Sequence, residues 1–227
     1  MIIGGLQKTS LIDYPEKIAA IVFTQGCNFR CGYCHNPELA EFSQTNFSTK
    51  EVLDFLESRL NKLDGVVITG GEPTLQKGLI DFIREIKFMG YLVKLDTNGT
   101  NPEITAELIN KKLIDYIAMD IKAPLDKYCE VVNTKIDTDL IQKNVEIILN
   151  SNVEHEFRTT LVKEQLIMDD FHRIGELVNG AQKHYLQKFT VSKAINNDFL
   201  LKSPFSDQEM TEAKNILKDY VKEVLIR

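Results

Sequence analysis

"YLVKLDTNGTNPEITAELINKKLIDYIAMDIK", residues 91–122, reads as a strand, a helix and a second strand. Its flanks are short apolar and β-branched runs, and its centre has helical period with Pro102 suited to the first turn. Two strands joined by a helix lie parallel, because the crossover returns the chain to the end of the sheet where it began. This unit therefore decides the fold class.

The same alternation extends to both sides. Strands are expected at "IAAIVFTQG" (18–26), "GVVITGG" (65–71), "YLVKLDTNG" (91–99), "IDYIAMDIK" (114–122), "VEHEFRTTLV" (153–162) and "LQKFTVSKA" (186–194). Between them, "FSTKEVLDFLESRLNKL" opens on Ser48 with Glu51 three residues later, a capping-box pattern. "LQKGLIDFIREIKFMG" is a helix stopped by Gly90, and helices are also expected at about 138–150 and over "DDFHRIGELVNGA". A last helix, "SDQEMTEAKNILKDY", has Ser206 and Glu209 as a second capping box, and the tail "VKEVLIR" is either a short strand or frayed. Six strand–helix units with right-handed crossovers predict an α/β fold: a partial (β/α)6 barrel, open on one side, with a mostly parallel sheet. A complete eight-unit barrel takes about 250 residues, more than the 227 here. One domain is expected over 1–227, with its core at about 18–193 and a C-terminal helix and tail at about 206–227.

Composition narrows the class. Hydrophobic residues make up 43% and charged residues 26%, as in ordinary globular chains. No apolar run approaches the length of a membrane helix, and the first residues break their apolar stretch too early for a signal peptide, so a cytoplasmic location is expected. The formal charge of −6 and the lack of a basic stripe disfavour nucleic acid as a partner.

The residues that carry chemistry follow the strands. "GCNFRCGYCHN" (26–36) holds Cys27, Cys31 and Cys34, three of the four cysteines, and follows the first strand. "GGEP" (70–73) follows the second, "DTNG" (96–99) the third, and "DIK" (120–122) closes the fourth. Catalytic residues of such barrels gather at the carboxyl ends of the strands, so these motifs are expected on one rim. Clustered thiols in a reducing compartment point to a metal. Spacing alone leaves two readings: an iron–sulfur cluster on three thiols, or a structural zinc that adds His35. The distant Cys129 is read as a small core residue. Gly70 and Gly71 allow close backbone approach to a ligand, and "GGEP" in isolation is also a turn. Asp96, Thr97 and Asp120 place hard oxygens at two neighbouring strand ends, where two buried carboxylates need a cation or Lys122 for neutralisation. Arg158, among apolar neighbours on the fifth strand, needs a partner if it faces inward.

"CNFRCGYC" matches the three-cysteine motif of the radical S-adenosylmethionine enzymes, and "GGEP" resembles their second motif. "CHNPEL", "LDTNG" and "MDIK" resemble the activating enzymes of glycyl-radical proteins. The N-terminal "KTSLIDYPEKIAAIVFTQGCNFRC" is most similar to the anaerobic ribonucleoside-triphosphate reductase activating proteins. The resemblance is dense over residues 8–124 and thin beyond, apart from "EFRTTLV".

The resemblance implies that Cys27, Cys31 and Cys34 bind a 4Fe–4S cluster whose open iron takes S-adenosylmethionine. It implies cofactor contacts for Tyr33 at the adenine, Asn36, carbonyls at Gly70 and Gly71, Lys122 at the methionyl carboxylate, and Arg158 near the ribose or carboxylate. Glu72 is expected to fix its loop. Asp96, Thr97 and Asp120 correspond to a monovalent-cation site. On strand six only Gln187 and Lys193 offer themselves, without an assigned role. The implied activity is reductive cleavage of S-adenosylmethionine to a 5′-deoxyadenosyl radical, which abstracts hydrogen from a glycine of a partner glycyl-radical enzyme. Flavodoxin or ferredoxin would be the electron donor, and no acid–base residue is required. The rival readings are a pyruvate formate-lyase-type activase, a radical enzyme acting on a small molecule or tRNA base, and a zinc-stabilised binding module.

Overall fold

The computed structural model describes residues 1–42, 46–190 and 195–227. Eight strands form one sheet in sequential order: β1 (Ile3–Ser10), β2 (Ala19–Thr24), β3 (Gly65–Gly70), β4 (Leu92–Thr97), β5 (Tyr116–Asp120), β6 (Glu154–Leu161), β7 (Lys183–Lys188) and β8 (Glu223–Ile226). From β2 to β8 every neighbouring pair is parallel, and β1 pairs antiparallel with β2. The sheet is curled but not closed, because β1 and β8 lie at opposite ends of its order. The partial parallel barrel expected from the sequence is present.

Two strands were not foreseen in this form. β1, "IGGLQKTS", carries two glycines and a polar second half, so its own pattern is weak. It forms because the free edge of β2 supplies an unpaired row of backbone groups. The tail strand β8 is ordered by pairing with β7. β7 starts at Lys183, three residues before the expected "LQKFTVSKA", and Val191, Ser192, Lys193 and Ala194 lie outside the described residues. The earlier start places His184 and Leu186 on the buried outer face, where both are fully enclosed.

The helices α1 (Thr49–Glu57), α2 (Leu79–Phe88), α3 (Pro102–Asn110), α4 (Tyr128–Val131), α5 (Asp139–Leu149), α6 (Met168–Leu177) and α7 (Asp207–Leu217) fill the connections from β2 onward, with α4 and α5 both between β5 and β6. Both expected capping boxes form, at Ser48 with Glu51 and at Ser206 with Glu209. α2 buries Leu79, Phe82, Ile83 and Ile86, the i, i+3, i+4, i+7 stripe of a helix lying on a sheet. That stripe packs in the main core with outward strand residues such as Ile68, Leu95 and Ile117. No helix among the described residues is long and apolar enough to cross a membrane.

The inner face of the sheet changes character along the strands. Tyr14, Ala19, Ile21, Val67 and Tyr116 form a small apolar cluster at its lower end. Above it, residues two apart along a strand alternate into the same interior, so Lys94 and Asp96 of β4 share it with Asp120 of β5 and Arg158 of β6. The apolar cluster closes one end, and the charges line the other.

Candidate active site

The loop between β2 and residue 36 is built on backbone bonds rather than regular structure. The Gly26 amide donates to Leu39 O at 2.9 Å, Cys27 N to Ala40 O at 3.0 Å and Arg30 N to Val132 O at 2.9 Å. The Arg30 guanidinium donates to Cys27 O at 2.7 Å and Phe29 O at 2.8 Å, pinning the turn from inside. Cys27, Cys31 and Cys34 are free thiols. All three line a cavity of 420 Å³ at the carboxyl ends of the strands.

Every site residue singled out in the sequence lines this cavity: Tyr33, Asn36, Gly70, Gly71, Glu72, Asp96, Thr97, Asp120, Lys122 and Arg158 join the three cysteines. Four motifs spread over about half the chain therefore do meet on one rim. Gln187 lies there as well, and Lys193 is outside the described residues.

Glu72 is fully buried and acts as the keystone of the rim. Its carboxylate accepts from Thr74 N (3.0 Å), Thr74 Oγ1 (2.6 Å), Thr97 Oγ1 (2.8 Å) and Asn98 N (2.6 Å). Burial raises its pKa, opposed by these four bonds. The hydroxyl of Thr97 is thereby committed to Glu72, while Asp96, one residue earlier, turns to the interior. Gly70 and Gly71 line the cavity, and packing requires them as well. A Cβ on Gly70, at φ +124°, would collide with the Thr24 backbone, and one on Gly71 with the carbonyls of Gly26 and Leu39. The glycines let the end of β3 press against the cysteine loop.

Asn98 and Asn28 were missed in the sequence. Asn98 Nδ2 donates to Asn28 Oδ1 at 2.8 Å and lies 3.8 Å from Cys27 Sγ, and Asn28 Nδ2 donates to Thr100 Oγ1 at 2.9 Å. These amides tie the loop after β4 to the first thiol. "DTNG" drew attention for its Asp and Thr, and the pairing of two Asn across 70 positions left no local signal.

The charges form one array. Arg158 Nε donates to Asp120 Oδ1 (2.8 Å) and its NH1 to Asp96 Oδ2 (3.0 Å). Lys122 Nζ reaches Asp120 Oδ2 at 2.8 Å, and Lys94 Nζ reaches Asp96 Oδ1 at 2.6 Å. Arg158 thus faces inward, and the surface placement that its strand also allowed is excluded. Burial acts to raise both carboxyls, but Arg158 and the lysines outweigh it and hold Asp96 and Asp120 below the usual carboxylate range. Burial acts to lower Lys122, and Asp120 with the neighbouring Tyr33 and Cys31 raises it well above normal. The Lys122 ammonium also lies 5.9 Å from the centre of the Tyr33 ring. Tyr33 is buried, and its hydroxyl has no hydrogen-bond partner among the described residues.

Three thiols lining one cavity suit an iron–sulfur cluster by donor type. Burial pushes the Cys27 thiol up to about 12 and the Cys31 thiol up to about 11, so their thiolates need positive charge beside them, which a metal centre supplies. A zinc site would need His35 to turn onto the same ion as the thiols. His35 lines the same cavity, with its ring 6.3 Å from that of Phe189.

A curl of parallel strands with three thiols and a charged array at its mouth defines a class, and comparison with known proteins agrees. The family model for the radical SAM superfamily matches residues 21–177, and the chain belongs to that superfamily. It is a radical SAM enzyme, and membership implies a 4Fe–4S cluster and S-adenosylmethionine as cofactors. Among its relatives is a Methanocaldococcus jannaschii protein named "Putative glycyl-radical enzyme activating enzyme", 37% identical over 100% of this chain and 95% of that one. A second M. jannaschii protein with the same description is 29% identical over 98% of this chain and 85% of its own length. SuiB from Streptococcus suis, solved bound to S-adenosylmethionine, superposes with a TM-score of 0.71 at 14% identity, over 91% of this chain and 49% of that one. At that identity the likeness concerns the fold alone.

Proposed function

We propose that this enzyme activates a glycyl-radical enzyme, and that the partner is an anaerobic ribonucleoside-triphosphate reductase. The observation that carries the activase reading is the convergence of the cysteine loop, "GGEP", "DTNG" and "DIK" on one cavity. The names of the M. jannaschii relatives support it. The reductase as partner rests on the similarity of residues 8–31 alone.

In this reading Cys27, Cys31 and Cys34 hold the 4Fe–4S cluster, and three thiols leave one iron for the cofactor. When bound, the cluster and S-adenosylmethionine supply one-electron cleavage of the sulfonium and hydrogen-atom abstraction from glycine, with the electron from a flavodoxin or ferredoxin. The chain's residues bind and orient. Lys122 and Arg158 offer positive charge to the methionyl carboxylate, carbonyls at Gly70 and Gly71 meet its ammonium, and Tyr33 with Asn36 borders the adenine. Glu72 and Asn98 hold the rim rigid. The cavity wall keeps water from the reacting atoms.

The test is anaerobic reconstitution with iron and sulfide, followed by incubation with the candidate reductase, S-adenosylmethionine and a reductant. A glycyl doublet in the reductase by electron paramagnetic resonance is expected, and Cys31→Ala should lose both cluster absorption and doublet. A doublet in pyruvate formate-lyase but not in the reductase would replace the partner. Turnover of a small molecule with no protein radical would overturn the activase reading.

A further inference from the structure

The two carboxylates of the array have four oxygens, and each oxygen already receives one cationic nitrogen. Asp96 takes Lys94 and Arg158, and Asp120 takes Arg158 and Lys122. Within this array three cations meet two carboxylates, and Glu156, buried on the same interior face, is met separately by the Tyr116 hydroxyl at 2.9 Å and by Arg227 at 3.6 Å.

Lys94 differs from the other two. Arg158 and Lys122 line the cavity, whereas Lys94 does not, and its side chain is 3% exposed. It approaches Asp96 from behind, on the closed side of the barrel, with its ammonium 6.0 Å from the centre of the Tyr116 ring. A buried lysine carries a large desolvation cost, which here is offset by one short ion pair and one aromatic face. Its sequence position shows the arrangement: Lys94 stands two residues before Asp96 on the same face of β4.

We infer that Lys94 is a tethered cation. Its ammonium takes the place of a monovalent metal ion beside Asp96 and keeps the Asp96–Arg158–Asp120 array assembled without sodium or potassium. With Asp96 neutralised from behind, Arg158 and Lys122 keep surplus charge toward the cavity, the side on which an anionic group of a ligand would bind. Lys94 is thus a positioning residue that acts through Asp96 and Arg158. The cation site that the family resemblance suggested is filled in this chain by a side chain. The functional part of this inference rests on the cavity being the S-adenosylmethionine site, and the built-in charge does not.

The experiment uses the cluster-reconstituted protein, its three thiols occupied, and reads ion binding and melting rather than activation, so it is independent of the activation assay. Wild type should show no saturable thallium(I) binding by ²⁰⁵Tl resonance. Its melting temperature should be unchanged when potassium is replaced by choline at constant ionic strength. Lys94→Met should melt lower in choline, recover on adding potassium or methylammonium, and bind thallium(I). Its affinity for S-adenosylhomocysteine in choline should fall by about tenfold and return with potassium, since one charge-assisted contact is lost and restored. Saturable thallium(I) binding by wild type overturns the inference even if Lys94→Met does not fold. A folded Lys94→Met with no cation response overturns it too. If Lys94→Met behaves as expected for ions but neither protein binds S-adenosylhomocysteine, the tethered cation stands and the cofactor reading fails.

Discussion

Glu72 shows how much of this site is held by one side chain. Four donors from three residues on two segments converge on its carboxylate in a fully buried setting. Glu72→Ala leaves those donors without acceptors, and the expected loss is about 3–5 kcal/mol in urea unfolding. An unchanged midpoint would mean that water substitutes freely. His184 sets the response to acid. It is fully enclosed, with Nε2 2.9 Å from Thr159 Oγ1, and burial lowers its pKa to about 3. The unfolded chain binds that proton near pH 6.5 and the folded chain does not. Stability is therefore greatest above pH 6.5 and falls as pH drops toward 3, by up to about 1.4 kcal/mol per unit. His155, also lowered by burial, adds to the loss in the same window. Asp96 and Asp120, held low by their cations, lose their contribution only below the ordinary carboxylate range. Melting temperatures at pH 7 and pH 5 should differ less in His184→Gln than in wild type, and an equal difference would remove His184 from this account.

At the scale of elements, local chemistry was legible where it is local. The Ser48–Glu51 box forms with Glu51 N donating to Ser48 Oγ at 3.2 Å and Ser48 N to Glu51 Oε2 at 2.8 Å. Ser48→Ala should therefore cost about 1 kcal/mol, read as a lower urea midpoint with the site unaffected. A loss of cavity function in that variant would show that α1 does more than cover the sheet. Elements formed by pairing were less legible. β1 has a weak pattern and exists through the edge of β2, and β7 begins earlier than its most apolar stretch suggests. The glycines of "GGEP" were recognised as necessary at the cavity, but their packing role was not legible, because the atoms they avoid belong to Thr24, Gly26 and Leu39, more than thirty residues away. Lys94 carried a readable signal, a lysine inside an apolar strand at period two from Asp96. The argument applied to Arg158 applied equally to it.

Across the whole molecule, stability should grade from the middle of the sheet to its edges. Val66, Ile68, Val93, Leu95, Ile117 and Met119 on β3–β5 are almost wholly enclosed between the sheet and its helices. β8 pairs on one side only and has exposed ends. Hydrogen exchange should find the amides of β3–β5 slowest and those of β8 among the first to open, and comparable rates would show that the barrel unfolds as a single unit. The sequence by itself determined the alternation and parallel run of β2 to β7, the cysteine loop and the rim on which the motifs would meet. Those follow from periodicity, from turn chemistry and from the crossover that parallel strands demand. The tertiary structure alone decided that Arg158 bridges both carboxylates, that Lys94 stands behind Asp96, and that Glu72 collects four donors. Such pairings are set by distances between segments brought together by folding, and a linear pattern shows which face a residue takes but not which atoms it will meet there.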